Sequence, residues 1–218
     1  MLREIRLTLK SPPEGTLFLP KHSSPKINRC SWAGDDPVYI DYHDNEWGIP
    51  VHDDKKLFEM LILEGFQAGL SWITILKRRE NFRTAFDNWD WNKIARYDTK
   101  DFDRLMNDAG IIRNRLKIKS AINNAQRFIE VRKEFGTFDR YMWQFTNYTT
   151  SRPPKPWKSW EEIPARTKES DAMSKDLKKR GFTFVGSIIC YAHMQAVGMV
   201  DDHIESCFKC KKWSSRSS

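Results

Sequence analysis

The clearest periodic pattern of apolar positions along the chain begins at Lys55. The apolar residues that follow fall close to a helical repeat and are Leu57, Phe58, Met60, Leu61 and Leu63. Asp53 and Asp54 precede them and suit the cap and the acidic first turn of a helix. The pattern therefore predicts a helix from about residue 55 onward with one strongly apolar face.

One acid interrupts this apolar face. Glu64 follows Met60 and Leu61 on the side that those two residues bury. A carboxylate there loses its hydration unless a charged or hydrogen-bonding group meets it. The tyrosines and tryptophans of the surrounding stretch are Tyr39, Tyr42, Trp47 and Trp72. Such rings around an acid favour binding of a flat, cationic or hydrogen-bond-donating ring. The alternative is an aromatic core in which an arginine or a backbone amide satisfies Glu64.

Helical periodicity continues through most of the remaining chain. Helices are predicted after Asp36-Pro37, over 72–86 and over 90–97. One further helix starts at 99 and passes through 105 and 106, and a later one ends at about 135. The last three predicted helices cover 138–145, the span from a cap at Ser170 to 179, and the span between 186 and 198. Residues 151–166 hold four prolines and two tryptophans and predict an irregular connection. The sequence has no glycine-rich nucleotide loop, serine nucleophile elbow or internal repeat. The predicted fold class is all-α.

Residues 105–118 predict a helix, a tight turn at Ala109-Gly110 and a second helix. Glycine in such a turn can adopt a left-handed conformation and expose backbone amides. Basic residues follow at once, and they are Arg113, Arg115 and Lys117. An amide-rich turn at the start of a helix can bind one backbone phosphate without reading the base sequence. The alternative is a plain helical hairpin with basic residues in solvent.

Composition narrows the class of protein. The chain has 218 residues, a formal net charge of +8 and nine tryptophans, which together favour a nucleic-acid partner. No long apolar run predicts a membrane span, and the first twenty residues lack the apolar block of a secretory signal. We therefore expect a soluble, cytoplasmic protein. Residues 1–29 carry few periodic apolar positions and are expected to form a flexible extension.

The cysteines are Cys30, Cys190, Cys207 and Cys210. Cys30 and His43 form one pair, and His203 and Cys207, four residues apart, would share one face of a helix. Two cysteines and two histidines suit a tetrahedral zinc ion that joins the two ends of the domain. The alternatives are a pair formed by Cys207 and Cys210, or an ordinary core histidine at position 43. Cys190 reads as a buried apolar residue.

Several longer motifs occur in one order, and they are YHDNEWGIP, LEGFQAGLSWITILKRREN, DAGIIRNR, LKKRGFTFVG and DDHIESC. With these motifs the chain closely resembles the 3-methyladenine DNA glycosylase I family, from about Cys30 to Cys207. The resemblance implies a two-lobed, all-helical helix-hairpin-helix glycosylase fold. It implies a single glycosylase domain over 30–207, with an extension at 1–29 and a basic tail at 208–218 outside it.

The resemblance also implies roles for individual residues. The zinc ligands would be Cys30, His43, His203 and Cys207, with one structural Zn²⁺ per chain. Base recognition would rest on Glu64, Tyr42 and Trp72, while Trp32, Tyr39 and Trp47 line the pocket. The hairpin at Ala109 and Gly110, with Arg113, Arg115 and Lys117, would contact the DNA backbone. Leu70 would be a wedge inserted into the base stack.

The implied activity is excision of 3-methyladenine from alkylated double-stranded DNA by a monomeric, intracellular enzyme, nucleoid-associated if the source is bacterial. Methylation at N3 makes adenine cationic and a better leaving group, so that flipping and recognition at Glu64 suffice. Asp139 is the nearest candidate for a general base, but its helical surroundings argue against it. No lysine nucleophile is evident, which predicts a monofunctional glycosylase. The alternative function is a zinc-stapled module that binds lesions without cutting.

Overall fold

In the computed structural model, which describes residues 27–210, the chain is helical. The helices are α1 (Pro37–Asn45), α2 (Asp54–Gln67), α3 (Trp72–Leu76), α4 (Arg79–Ala85), α5 (Trp91–Ile94), α6 (Thr99–Asn107), α7 (Arg115–Phe135), α8 (Phe138–Trp143), α9 (Lys168–Lys179) and α10 (Ser187–Ala196). Between residues 27 and 210 no strand forms, and one isolated bridge joins Ser151 to Val200. The all-α prediction is confirmed. The expected flexibility of 1–29 falls mostly outside the described residues.

Short polar side chains set where the helices begin. Asp53 accepts a hydrogen bond from the Lys56 amide at the start of α2, as the sequence predicts. Asn114 accepts from the Leu116 and Lys117 amides at the start of α7. These caps satisfy amides that have no partner inside the helix, so each helix begins at a defined residue.

Two predicted helices differ in the structure. The segment 72–86 forms α3 and α4 rather than one helix, because the backbone leaves helical geometry at Arg78, where φ is −108° and ψ is 4°. Helix α9 begins earlier than predicted, with Thr167 as its cap. Ser170 is the partner of Thr167 in a capping box, in which each side chain bonds the other's amide.

Helix α2 is the central helix of the fold. Every residue from Leu57 to Phe66 is buried, because α3, α7, α8 and α10 all pack against it. A helix that is buried on all sides leaves no solvent-facing position for a polar residue. The burial of an acid on α2 therefore follows from the position of the helix.

A buried ion-pair network fixes α2 relative to α1 and α4. The Arg79 guanidinium donates to Glu59 Oε1 at 2.7 Å and to Glu46 Oε1 at 2.8 Å. Glu59 lies on α2, and Glu46 follows α1. Each charge in this network has an opposite charge in contact, which is the condition under which buried charges are tolerated.

No helix of the described chain is long and apolar enough to cross a membrane.

His193 predicts a measurable acid sensitivity. It is fully buried on α10, and neither ring nitrogen has a hydrogen-bond partner in the described chain, so that burial lowers its pKa to about 3. The unfolded chain binds this proton more readily, so the stability that neutral His193 permits is lost as the pH falls from about 6.5 towards 3. Urea unfolding should show a wild-type loss between pH 7 and pH 5 that exceeds the loss in His193→Leu by about 2 kcal/mol. Equal losses in the two proteins would contradict this account.

Candidate active site

A cavity of about 160 Å³ opens beside the buried part of α2. It is lined by Trp32, Tyr39, Tyr42, Trp47, Glu64, Gln67, Trp72, Trp160, Ala192 and Gln195. The structure thus brings Glu64 and the five aromatic residues singled out from the sequence to one place. A mostly aromatic cavity with few polar groups is typical of a site for a small planar ligand.

Glu64 is the acid of this cavity. Its side chain lies on α2 with 3% exposure, and its Oε2 has no hydrogen-bond partner among the described residues. The alternative in which an arginine or an amide satisfies this oxygen is therefore wrong. Desolvation raises the pKa of the carboxyl group to about 8, because nothing nearby stabilises its charge. Near neutral pH the group is largely protonated and can ionise when a cation arrives.

The aromatic rings come from separate segments that pack around the acid. Tyr42 on α1 and Trp72 at the start of α3 have ring centroids 5.6 Å apart, inclined by 55°. The Tyr39 hydroxyl accepts a hydrogen bond from the Ile73 amide at 2.9 Å, which holds the start of α3 against α1. Trp32 packs edge-on against Trp47, with centroids 5.1 Å apart. Two walls of the cavity are therefore held by direct contacts.

Sequence reasoning missed four residues of the cavity lining, which are Gln67, Trp160, Ala192 and Gln195. Trp160 lies in the proline-rich segment 151–166, and its ring centroid is 6.2 Å from that of Trp32. Its only sequence signal is a tryptophan in an irregular segment. Gln195 lies on α10, where its Nε2 donates to the buried Asp202 carboxylate at 2.7 Å. No periodic pattern distinguishes Gln195 from other helical glutamines, so only the tertiary contacts identify it.

Asp139 does not line the cavity. It lies in the first turn of α8 and its Oδ1 is 2.8 Å from His52 Nδ1 at the protein surface. Its backbone amide donates to Asp54. This position agrees with the argument against Asp139 from its helical surroundings, because a side chain there does not contact a ligand bound beside Glu64.

Three of the four predicted metal ligands converge in a buried cluster. The ligand atoms of Cys30, His43 and Cys207 all lie within 4.8 Å of one another. The Cys207 thiol is 3.5 Å from His43 Nε2. His43 Nδ1 is 2.8 Å from Asp44 Oδ1, which leaves Nε2 directed at the cluster. A carboxylate behind the imidazole is the usual outer partner of a metal-bound histidine.

The fourth predicted ligand, His203, lies beside this cluster. Its ring centroid is 5.3 Å from that of His43, and its buried Nε2 has no partner among the described residues. Its Nδ1 is 2.7 Å from Asp201 Oδ1. The segment from His203 to Cys207 is not helical, so the prediction of a shared helical face is wrong. Cys210 is buried but does not belong to the cluster.

Leu70 lies in the short connection between α2 and α3 and is 40% exposed. Gly69, which precedes it, has a φ of +78°, a conformation that favours glycine. The Leu70 amide donates to Gln67 O, which closes the turn. An apolar side chain is thus presented to solvent on a tight turn next to the cavity residues Gln67 and Trp72.

The hairpin between α6 and α7 differs from its prediction. Residues 108–114 join the two helices, so the connection is longer than a tight turn. Gly110 is not left-handed, and the prediction of that conformation is wrong. Its amide donates to Asp108 Oδ1 at 2.7 Å. A Cβ at position 110 would come within 3.1 Å of Asn81, which explains the small residue there. Ala109 is exposed.

The three basic residues of the hairpin have different surroundings. Arg113 and Arg115 are exposed, and the Arg115 guanidinium lies 5.1 Å from the centroid of the Phe102 ring. Lys117 is 7% exposed, and its ammonium donates to Phe66 O at 2.7 Å and Ala68 O at 2.6 Å. The expectation that Lys117 contacts DNA is therefore wrong for this conformation. Lys117 instead binds carbonyls at the end of α2, where a helix favours positive charge.

Comparison with known proteins agrees with this arrangement. The family described as methyladenine glycosylase matches residues 32–210. DNA-3-methyladenine glycosylase 1 of Escherichia coli is 51% identical over 181 residues, which cover 83% of this chain and 96% of that protein. A crystal structure of 3-methyladenine DNA glycosylase I superposes with a TM-score of 0.80 at 49% identity, covering 83% of this chain and 98% of the other.

A second solved structure concerns 3-methyladenine recognition by 3-methyladenine DNA glycosylase I of Staphylococcus aureus. It superposes with a TM-score of 0.79 at 34% identity, covering 84% of this chain and 96% of that chain. Sequence and fold thus agree over nearly the whole described part of the chain. By the extent of these matches, the chain belongs to the methyladenine glycosylase family.

Proposed function

We propose that this protein is a DNA repair glycosylase that releases 3-methyladenine from alkylated double-stranded DNA. The observation that carries the proposal is the Glu64 carboxyl group, which lies unpartnered inside an aromatic cavity in a member of the methyladenine glycosylase family. A buried acid without a partner is costly unless a ligand completes it. A cationic purine can pair with the acid and stack on the aromatic rings.

Recognition follows from the charge of the lesion. A flipped 3-methyladenine presents a positive ring to the π faces of Tyr42 and Trp72, and each such contact stabilises by about 0.5–2 kcal/mol. The same positive charge favours ionisation of Glu64, so that binding releases the Glu64 proton at neutral pH. Neutral adenine gains neither contribution. Selectivity then arises from charge, because both purines have nearly the same shape.

The reaction is the hydrolysis of the bond between N9 of the base and C1′ of the sugar. The bonding electron pair leaves with the base and neutralises its charge, while a water oxygen forms the new bond to C1′ and loses a proton to solvent. No amine is required, and the buried Lys117 ammonium is held by two carbonyls. We therefore propose a monofunctional glycosylase without lyase activity.

Release of the base tests the function and the role of Glu64 together. Wild-type protein should release 3-methyladenine from methylated duplex DNA, and kcat/KM should rise up to tenfold per pH unit from pH 6 before levelling above about pH 8 as Glu64 ionises. Glu64→Gln should lower kcat/KM about 10- to 100-fold and remove this rise, because a neutral amide cannot pair with the cation. Chromatography of the released bases gives both quantities.

The outcomes separate enzyme from binder. A folded wild-type protein that retains affinity for methylated duplex but releases no base would be a lesion-binding module, and the enzymatic proposal would fail. An unchanged pH profile in Glu64→Gln would remove Glu64 from recognition while leaving the activity in place.

We infer that double-stranded DNA binds across the face that carries the turn at Leu70 and the hairpin between α6 and α7. Arg113 and Arg115 are exposed on this hairpin and can neutralise backbone phosphates. Leu70 can fill the space that a flipped nucleotide leaves in the base stack. The net charge of +8 supports such a partner.

We propose that the enzyme acts as an intracellular monomer.

Leu70→Ala tests the wedge. Its excision rate on duplex DNA should fall about tenfold, because unstacking is then uncompensated. On single-stranded methylated DNA, where no stack must be refilled, the rate should change less than twofold. Ile49→Ala is a matched control, since Ile49 is similarly exposed and lies outside the cavity. Equal losses on both substrates would argue that Leu70 acts on the cavity instead.

We propose that Cys30, His43, His203 and Cys207 bind one structural zinc ion. The donor set is two thiols and two imidazoles, which is a common tetrahedral zinc set. The free, buried Nε2 of His203 and the carboxylates behind both imidazoles fit this assignment. Such an ion would hold Cys30 near the start of the described chain to Cys207 near its end, and its binding would add to folding stability.

Metal analysis of purified variants tests this site. His203→Ala and Cys207→Ala should lose stoichiometric zinc and unfold at lower temperature, with a stability loss of about 3 kcal/mol or more. Cys210→Ala should retain one zinc per chain, because Cys210 lies outside the cluster. Zinc loss in Cys210→Ala together with retention in His203→Ala would show that the ligand set is wrong.

A further inference from the structure

The cavity has a second polar group besides Glu64 whose orientation is fixed by its neighbours. Gln195 lies on α10 in the cavity wall and is 7% exposed. Its Nε2 donates a hydrogen bond to Asp202 Oδ2 at 2.7 Å. A glutamine amide can turn over and exchange its nitrogen and oxygen, so its partner decides which atom remains for a ligand.

Asp202 determines that choice. It is 1% exposed, and it accepts hydrogen bonds from three donors. Besides Gln195, these are the Tyr191 hydroxyl at 2.6 Å and the Trp157 indole N–H at 2.8 Å. Asp202 Oδ2 accepts the hydrogen bond of the Gln195 amide nitrogen, so the amide oxygen of Gln195 does not face Asp202. The Gln195 amide therefore has its nitrogen at Asp202 and its oxygen on the other side.

The amide oxygen of Gln195 is the atom that remains for a ligand. No donor in the described part of the chain forms a hydrogen bond with it, although the residue is more than nine-tenths buried. This unpartnered oxygen is not completely sealed from solvent, so a ligand can reach it. Because Gln195 lines the cavity, this acceptor is available to a molecule bound there.

We propose that Gln195 is a specificity-determining residue, whose amide oxygen accepts a hydrogen bond from an amino group on the edge of the bound purine, and that Asp202 is the positioning residue that fixes this orientation. The proposal deepens the proposed function and rests on it. An exocyclic amine at C6 satisfies the acceptor, whereas a carbonyl at C6 brings two oxygen lone pairs together. The site would therefore select 6-amino over 6-oxo purines.

The size of this selection follows from the burial of the acceptor. Sites that bury a hydrogen-bonding group reject a ligand that leaves it unpaired far more strongly than apolar pockets reject a change in size. We expect the wild-type protein to bind free 3-methyladenine at least tenfold more tightly than free 3-methylhypoxanthine. Both ligands carry the same methyl group at N3, and neither free base carries the fixed positive charge of the methylated nucleotide, so the ratio of their affinities reports recognition at C6.

Calorimetric titration of the two free bases, at one pH and with protein shown to be folded by its melting temperature, tests the proposal. Gln195→Met retains the side-chain length without polar atoms, and it should reduce the preference for 3-methyladenine to less than threefold. In Asp202→Asn the new amide can donate to the Gln195 oxygen. The glutamine can then turn its nitrogen towards the cavity, and the preference should shift at least fivefold towards the 6-oxo base.

The ratio of the two affinities distinguishes recognition from stability. Damage to packing would weaken both bases alike and leave the ratio unchanged, and that result in Gln195→Met would overturn the proposal. Gln126→Met is the matched control, because Gln126 is exposed on α7, donates to Ala95 O and does not line the cavity. If Asp202→Asn does not fold, Gln195→Met alone decides. Failure of wild-type protein to bind 3-methyladenine would instead count against the proposed function.

Discussion

The burial of one acid on the central helix is the constraint on which the rest of the site depends. Helix α2 is enclosed by its neighbours over the whole span from Leu57 to Phe66, so Glu64 cannot reach bulk water. Folding must therefore hold this carboxyl group largely protonated at neutral pH, which costs stability because the unfolded chain would ionise it. The native protein thus keeps a buried acid beside the cavity whose Oε2 has no partner among the described residues.

A second acid on the same helix shows that this arrangement is particular to Glu64. Glu59 is also buried, but it contacts the Arg79 guanidinium, and its pKa stays below the ordinary value. Because Arg79 is committed to Glu59 and Glu46, it does not neutralise Glu64. The fold thus satisfies one buried carboxylate and leaves the other open, and an unsatisfied buried group beside a cavity indicates function more strongly than burial alone.

The segment after α10 connects the cavity with the cysteine and histidine cluster. Asp202 fixes the orientation of Gln195 in the cavity wall, and the next residue, His203, lies beside the cluster. Trp157 links this segment to the proline-rich connection, because its indole donates to Asp202 and its carbonyl accepts from the Glu205 amide. Order in the cluster therefore also orders one side of the cavity.

The sequence by itself determined the helical class, the apolar helix with its anomalous acid, the aromatic residues near it and the cysteine and histidine pairs. The helices and the misplaced acid are read from local periodicity. The aromatic, cysteine and histidine residues stand out because their side-chain chemistry suits only a few structural roles. Only the tertiary structure decided the contacts of Lys117 and Gln195 and the irregular backbone between His203 and Cys207. It also decided that Trp160 joins the cavity and that Gly110 is not left-handed. Each of these depends on contacts between residues far apart in the chain, such as the 51 positions that separate Lys117 from Phe66, and local patterns carry no information about such contacts.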